Sequence, residues 1–208
     1  MKEWSDRAMH IGIDFDNTLV SYDALFHRVA CEWGVVPDDL RPSKLAVRDW
    51  LRAAGQENCW TEMQGYVYGV RMNEAAAYPG AIDFITGMLG LGHTVNIISH
   101  KTRYPFLGPQ YDLHSAARGW IAQNLNPSLD AAGFAIDVYF ELTKSEKLSR
   151  IDRCGCEAFI DDLPEILLAS EFPTAAQTLL FDPDGMHMAA PLTRFNSWTG
   201  LSEYFSQR

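Results

Sequence analysis

Apolar residues along this chain gather in five short runs: Met9 to Phe15, Thr94 to Ser99, Ala135 to Phe140, Ala158 to Ile160 and Thr178 to Phe181. Each is nearly continuous, without the polar alternation of a half-exposed strand, as expected for strands buried on both faces of a parallel sheet. Between them lie patterns of helical period. Ala81 to Leu91 follows the turn Tyr78-Pro79-Gly80, and Leu113 to Leu125 carries Ala116, Ala117, Trp120, Ile121 and Leu125 on one stripe. Strand, helix, strand in this order predicts right-handed crossovers and a doubly wound α/β fold.

One interval breaks the rhythm. Nearly 80 residues separate the first two strands, far more than a crossover needs. Helical patterns at Ala24 to Trp33, Ser43 to Ala54 and Trp60 to Met72, broken by Gly34, Pro37, Pro42 and Gly55, predict a small helical insertion. The expected division is an α/β core from 1–20 and 79–208 with an insertion at 21–78. Trp33, Trp50, Trp60, Tyr66 and Tyr68 are read as its core. The amphipathic stretch Trp198 to Phe205 is expected to dock the C-terminus.

At 208 residues with 47% hydrophobic content, the chain has enough apolar material for one substantial core. A formal net charge of −10 argues against binding nucleic acid, whose phosphates demand basic patches, and favours a small solute or a metal-bridged anion. The N-terminal MKEWSDRAMH is polar and no apolar run approaches a membrane span of roughly 18 residues, so no membrane partner and a cytosolic location are expected. Cys31, Cys59, Cys154 and Cys156 lack zinc-site spacing, and the Cys154-Gly-Cys156 cluster reads as structural.

Ligands of open parallel sheets bind at the carboxyl ends of the strands. The first strand ends Asp14-Phe15-Asp16-Asn17-Thr18, the second Ser99-His100-Lys101, and the fourth Asp161-Asp162. Before the fourth, Thr143-Lys144-Ser145-Glu146-Lys147 has capping-box spacing and sets lysines in the first turns of a helix. Four carboxylates on adjacent strands repel unless a cation sits among them, and a hard divalent ion such as Mg²⁺ suits oxygen donors. With a hydroxyl and an ammonium beside it, the set points to phosphoryl transfer. A second acidic pair, Asp182-Pro183-Asp184-Gly185, lacks the following threonine and reads as a turn.

DFDNTL, IISHK, TKSEKLSRI and FIDDLPEIL, in this order, resemble the four motifs of the haloacid dehalogenase (HAD) superfamily. The resemblance implies a Rossmann-like HAD core, with the insertion as a helical cap that closes over the site. Asp14 would be the nucleophile that forms an aspartyl-phosphate, and Asp16 the acid and then the base. Asp14, the carbonyl of Asp16 and Asp161 would hold Mg²⁺, with Asp162 ligating through water or orienting its neighbour. Ser99 would bind the phosphoryl group, flanked by Asn17, Thr18, His100 and Lys101 as substrate contacts. Lys144 and Lys147 both compete for the lysine role, with Lys147 preferred because it heads KLSRI. Asp16 favours a phosphatase over a dehalogenase, since similar dehalogenating sequences lack that acid. The expected activity is hydrolysis of a small phosphorylated metabolite. A phosphomutase or phosphotransferase with the same intermediate, a phospho-acceptor signalling module and a noncatalytic binding protein are the alternatives. Arg103, Tyr104 and Tyr111 are expected to line an entrance.

Overall fold

The computed structural model describes residues 7–207. Residues 1–6, the start of the polar N-terminal stretch, lie outside the described residues. In chain order, β1 (His10–Ile13) and β2 (Val20–Ser21) are followed by α1 (Asp23–Glu32), α2 (Lys44–Ala53), α3 (Glu57–Gly69) and β3 (Ala76–Ala77). Next come α4 (Ala81–Gly90), β4 (Thr94–His100), α5 (Leu113–Asn124), α6 (Asn126–Ala132), β5 (Asp137–Glu141) and α7 (Lys144–Arg153). The chain closes with β6 (Ala158–Asp161), α8 (Pro164–Leu167), β7 (Gln177–Phe181), β8 (Thr193–Phe195) and α9 (Trp198–Ser206).

Six strands form one sheet in the order β5-β4-β1-β6-β7-β8, parallel throughout. The fold is α/β and Rossmann-like, as the apolar runs predicted. This sheet holds one strand more than they showed, because β8 is a three-residue edge strand, Thr193-Arg194-Phe195, with no residue fully buried, and the two-residue strands β2 and β3 form a separate two-stranded sheet. Side chains of alternate positions serve two faces. On one, Ile98, Phe159 and Leu180 meet Leu148 and Ile151 of α7. On the other, Phe181 packs on Trp198 of α9, ring centroids 5.5 Å apart, and Trp198 on Phe84 of α4 at 5.1 Å. Each such buried side chain contributes about 1.5–3 kcal/mol of transfer free energy.

The chain divides into two compact units. One comprises Met1–Leu19, Ala77–His100 and Asn126–Arg208; the other comprises Val20–Ala76 and Lys101–Leu125. The helical unit therefore takes in 101–125, which the division at 21–78 left with the α/β part. Two glycines on α3 explain why. A Cβ on Gly65 would fall 2.7 Å from Pro105 Cβ, and one on Gly69 2.5 Å from Tyr111 Cβ. Bare backbone at both positions lets the 101–112 segment lie against the helix, at the usual cost in helix propensity. Tyr111 is thus committed to packing on α3, and Trp120 of α5 donates its indole N–H to the Ala75 carbonyl at 2.7 Å. Trp60 joins Phe26, Tyr22 and Tyr68 in the aromatic core of this unit. Trp33 and Trp50, read above as core, instead sit at the surface with 38% and 45% of their area exposed. Among the described residues, no helix is long and apolar enough to cross a membrane.

Candidate active site

The loop after β1 is held at three points. The Asp14 N–H donates to the Ile160 carbonyl at 2.9 Å, keeping the aspartate in the register of the sheet. Asn17, three residues on, adopts φ 59°, a left-handed conformation that asparagine tolerates better than most residues. The chain folds back there, and Thr18 is fully buried. Its hydroxyl donates to Asp162 Oδ1 at 3.2 Å and lies 3.5 Å from Asp14 Oδ2, while its carbonyl accepts the Trp198 indole N–H at 3.2 Å. Asp16 lies half-buried just before the turn at 17–19.

Helix α7 delivers the cation. Thr143 accepts from the Glu146 N–H at 3.1 Å and Glu146 accepts from the Thr143 N–H at 3.0 Å, the reciprocal cap its spacing predicted. One turn further in, Lys147 points its ammonium between two strand ends, 2.6 Å from Asp14 Oδ1 and 2.6 Å from Asp161 Oδ2. Asp14, Asp161 and Lys147 are all at least 95% buried. Lys144, three residues earlier, is on the surface and pairs with Glu165. Of the two candidate lysines, the fold brings Lys147 to the carboxylates.

Burial alone would lower the pKa of Lys147, but Asp14 and Asp161 outweigh it and keep the ammonium charged. Burial pushes Asp161 well above the usual carboxylate range; Lys147 opposes the shift and Asp14 adds to it. Asp161 Oδ1 also accepts from the Leu163 N–H at 2.9 Å, so the residue shapes the turn into α8 as well.

Oxygen atoms of Asp14, Asp161 and Asp162 all lie within 4.8 Å of one another. Three carboxylates against one ammonium leave a local excess of negative charge, and the donors are all hard oxygens. That set fits a magnesium-sized divalent cation. Ser99, at the end of β4, is about 1% exposed. His100 follows it, with Nε2 3.1 Å from the Leu142 carbonyl. Lys101 belongs to the helical unit, where its ammonium lies 4.9 Å from the centroid of the Tyr68 ring and its carbonyl accepts from His114.

The remaining candidates serve the fold. Asp182, at the end of β7, accepts from the N–H groups of Met186 and His187 at 2.8 and 3.0 Å and from Arg194 at 3.2 Å, as a turn-forming residue does. Cys156 is buried, and burial pushes its thiol up to about 12, far from reactive. Sequence reading missed the link from Trp198 to the Thr18 carbonyl: the amphipathic pattern marks Trp198 as core and carries no trace of a partner 180 residues away.

No protein-family model matches the sequence, and no curated protein matches it. Solved structures do match the fold. One described as a dehalogenase is 16% identical, with 98% of this chain and 99% of that chain aligned at a TM-score of 0.58. A HAD family hydrolase from Deinococcus radiodurans R1, with bound phosphate and sodium, is 14% identical over 97% of this chain and 96% of that one, at 0.60. A HAD hydrolase from Bacillus subtilis bound to magnesium is 14% identical over 95% and 98%, at 0.51. The fold is that of the HAD-like hydrolases.

Proposed function

We propose that this chain, built on the HAD-like fold, is a Mg²⁺-dependent phosphohydrolase that cleaves a small phosphorylated metabolite through an aspartyl-phosphate on Asp14. The observation that carries this reading is the buried Lys147 bridge between Asp14 and Asp161, at 2.6 Å to each, with Asp162 beside it. Lys147 occupies Oδ1 of Asp14 and fixes the rotation of the carboxylate. Oδ2, met among the described residues only by the Thr18 hydroxyl at 3.5 Å, is left as the attacking oxygen. Attack on phosphorus breaks the ester bond, and Asp16, two residues along the same loop, gives its proton to the departing oxygen. Asp16 then takes a proton from water as the water attacks phosphorus, which releases inorganic phosphate and restores the Asp14 carboxylate.

Ser99 offers its hydroxyl to a phosphoryl oxygen. Asp14, Asp161 and Asp162 would hold the divalent ion, which when bound neutralises charge on the phosphoryl group. The likeness to magnesium-bound and phosphate-bound structures supports this assignment. Asp16 favours phosphate esters over halides, because expelling an alkoxide calls for an acid and expelling a halide does not. We assign the insertion that follows β1 the role of cap, by its position in the chain.

The test is phosphate release from an aryl phosphate and a panel of phosphorylated metabolites, with and without Mg²⁺, for wild type and Asp14→Asn. Mg²⁺-dependent release that the substitution abolishes supports the reading. A folded, metal-binding wild type that releases phosphate from nothing on the panel moves the assignment to transfer onto a specific acceptor or to binding alone.

A further inference from the structure

Helix α7 carries Lys147 under a tight constraint: the ammonium stands 2.6 Å from Asp14 Oδ1 and 2.6 Å from Asp161 Oδ2 at once. Most of what holds the helix is less exacting. The capping box joins Thr143 to Glu146 and closes within the first turn of the helix itself. Leu148 and Ile151 share the core with Ile98, Phe159 and Leu180, and apolar contact is non-directional, so it tolerates a small slide or roll of the helix. The Lys144–Glu165 pair lies at the surface with more than half of each side chain exposed, where an ion pair restrains little.

Arg150 is held differently. It follows Lys147 by three residues, so the two side chains are neighbours on the helix surface. Its Nε donates to Glu141 Oε1 at 2.6 Å, and its guanidinium carbon lies 4.3 Å from the centroid of the Tyr139 ring. Both partners belong to β5 and, two residues apart, share one face of the strand. The Arg150 and Glu141 side chains are 28% and 15% exposed, so the pair is partly shielded from water. A charged hydrogen bond and a ring contact on one planar guanidinium fix direction as well as distance. Among the described residues, Arg150 and Lys147 are the α7 side chains that make charged hydrogen bonds to the strands and strand ends of the sheet.

We propose that Arg150 is a positioning residue: locked to Glu141 and Tyr139 of β5, it sets the slide and roll of α7 and thereby where the Lys147 ammonium meets Asp14 and Asp161. For its effect on turnover this rests on the phosphohydrolase reading; for its effect on Lys147 it rests on the geometry of α7 and β5. Without Arg150 the core still closes on Leu148 and Ile151, while the cation shifts relative to the carboxylate that it orients. A misplacement of about 1 Å in a reacting group costs up to about a hundredfold in rate. For a cation that orients the nucleophile, a loss of about tenfold is expected.

The Lys147 ammonium can be followed directly, since the chain has five lysines and this one is buried between two carboxylates. Its side-chain ¹⁵N resonance, assigned through the side-chain carbons to the backbone, is recorded in wild type, Arg150→Met and Glu141→Gln, and in Asp182→Asn as a variant that loses stability elsewhere. It should move in Arg150→Met and Glu141→Gln and stay in Asp182→Asn. On an aryl phosphate, Arg150→Met and Glu141→Gln should each lower kcat per folded molecule by about tenfold with KM within about twofold, as loss of an interaction made in the transition state does. Combining them should cost no more than the larger single loss, because both break one contact. A clamp that served stability alone would lower the denaturant midpoint and leave both kcat per folded molecule and the resonance at their wild-type values. An unmoved resonance in Arg150→Met overturns the proposal whatever kcat does, and so does an equal displacement in Asp182→Asn. Wild type that turns over no phosphate ester counts against the phosphohydrolase reading, and the resonance still decides the role of Arg150: moved, it upholds the placement of Lys147; unmoved, it overturns it.

Discussion

Two strands of the same sheet end in the same pattern, an aspartate, one residue, and a second aspartate: Asp14 and Asp16 after β1, Asp182 and Asp184 after β7. Their surroundings differ completely. The Asp14 carboxylate faces groups from elsewhere in the chain: Lys147 from α7, with Asp161 and Asp162 from the neighbouring strand end. The Asp182 carboxylate is taken up by its own loop, through two N–H groups within five residues, and by Arg194 in the middle of β8. Two acids at a strand end do not make a reactive centre. One forms where the central strands bring further charges within reach, and β1 lies between β4 and β6 whereas β7 lies toward the edge.

The comparison is broken most sharply by removing the first acid of each pair. Asp14→Asn should lower turnover by about a thousandfold or more, since the amide is a poor nucleophile. Asp182→Asn should leave turnover within about twofold and lower stability by about 1–3 kcal/mol instead, read from the denaturant midpoint. An activity loss in Asp182→Asn as large as that in Asp14→Asn would erase the distinction.

Next in size is Lys147→Met. It strands Asp14 and Asp161 opposite each other without their cation and should cost about 3–5 kcal/mol of stability, along with activity. Lys144→Met, which breaks only a surface pair with Glu165, should cost under about 1 kcal/mol.

The choice between these two lysines shows how far the sequence could be read. The capping box fixes where α7 begins, but helical phase does not separate the two: positions 144, 147, 148 and 151 share one stripe, and Lys144 is exposed as the first residue of the helix whereas Lys147, a turn further in, is buried. The strand exits were legible because continuous apolar runs end abruptly in acids. What escaped has physical causes too. β8 buries too little to leave an apolar signal. The placement of 101–125 with the helices depends on Gly65 and Gly69, which along the sequence look like weak points of a helix and in space are where another segment approaches.

A pH experiment sharpens the contrast further. Burial raises the pKa of Asp182, but the Met186 and His187 N–H groups and Arg194 outweigh it and leave it below the usual carboxylate value. Its stabilisation is therefore fully present above the unfolded value of about 3.9 and is lost as pH falls through the lower folded value. Wild type should lose stability faster than Asp182→Asn over that acidic window; parallel curves would mean the loop does not depend on the charge. The smallest effect belongs to Trp198→Phe, which keeps the ring and deletes the donor to the Thr18 carbonyl. A fall of a few fold in kcat with KM held, and about 1 kcal/mol in stability, is expected.

The central claim is that Asp14 carries the phosphoryl group. Acid quenching during Mg²⁺-dependent turnover of an aryl phosphate, followed by peptide mass mapping, tests it directly. The account predicts one added phosphoryl group on the peptide holding Asp14, absent in Asp14→Asn and present in Asp182→Asn. Steady turnover with that peptide unmodified, or with the added group on another residue, would contradict it.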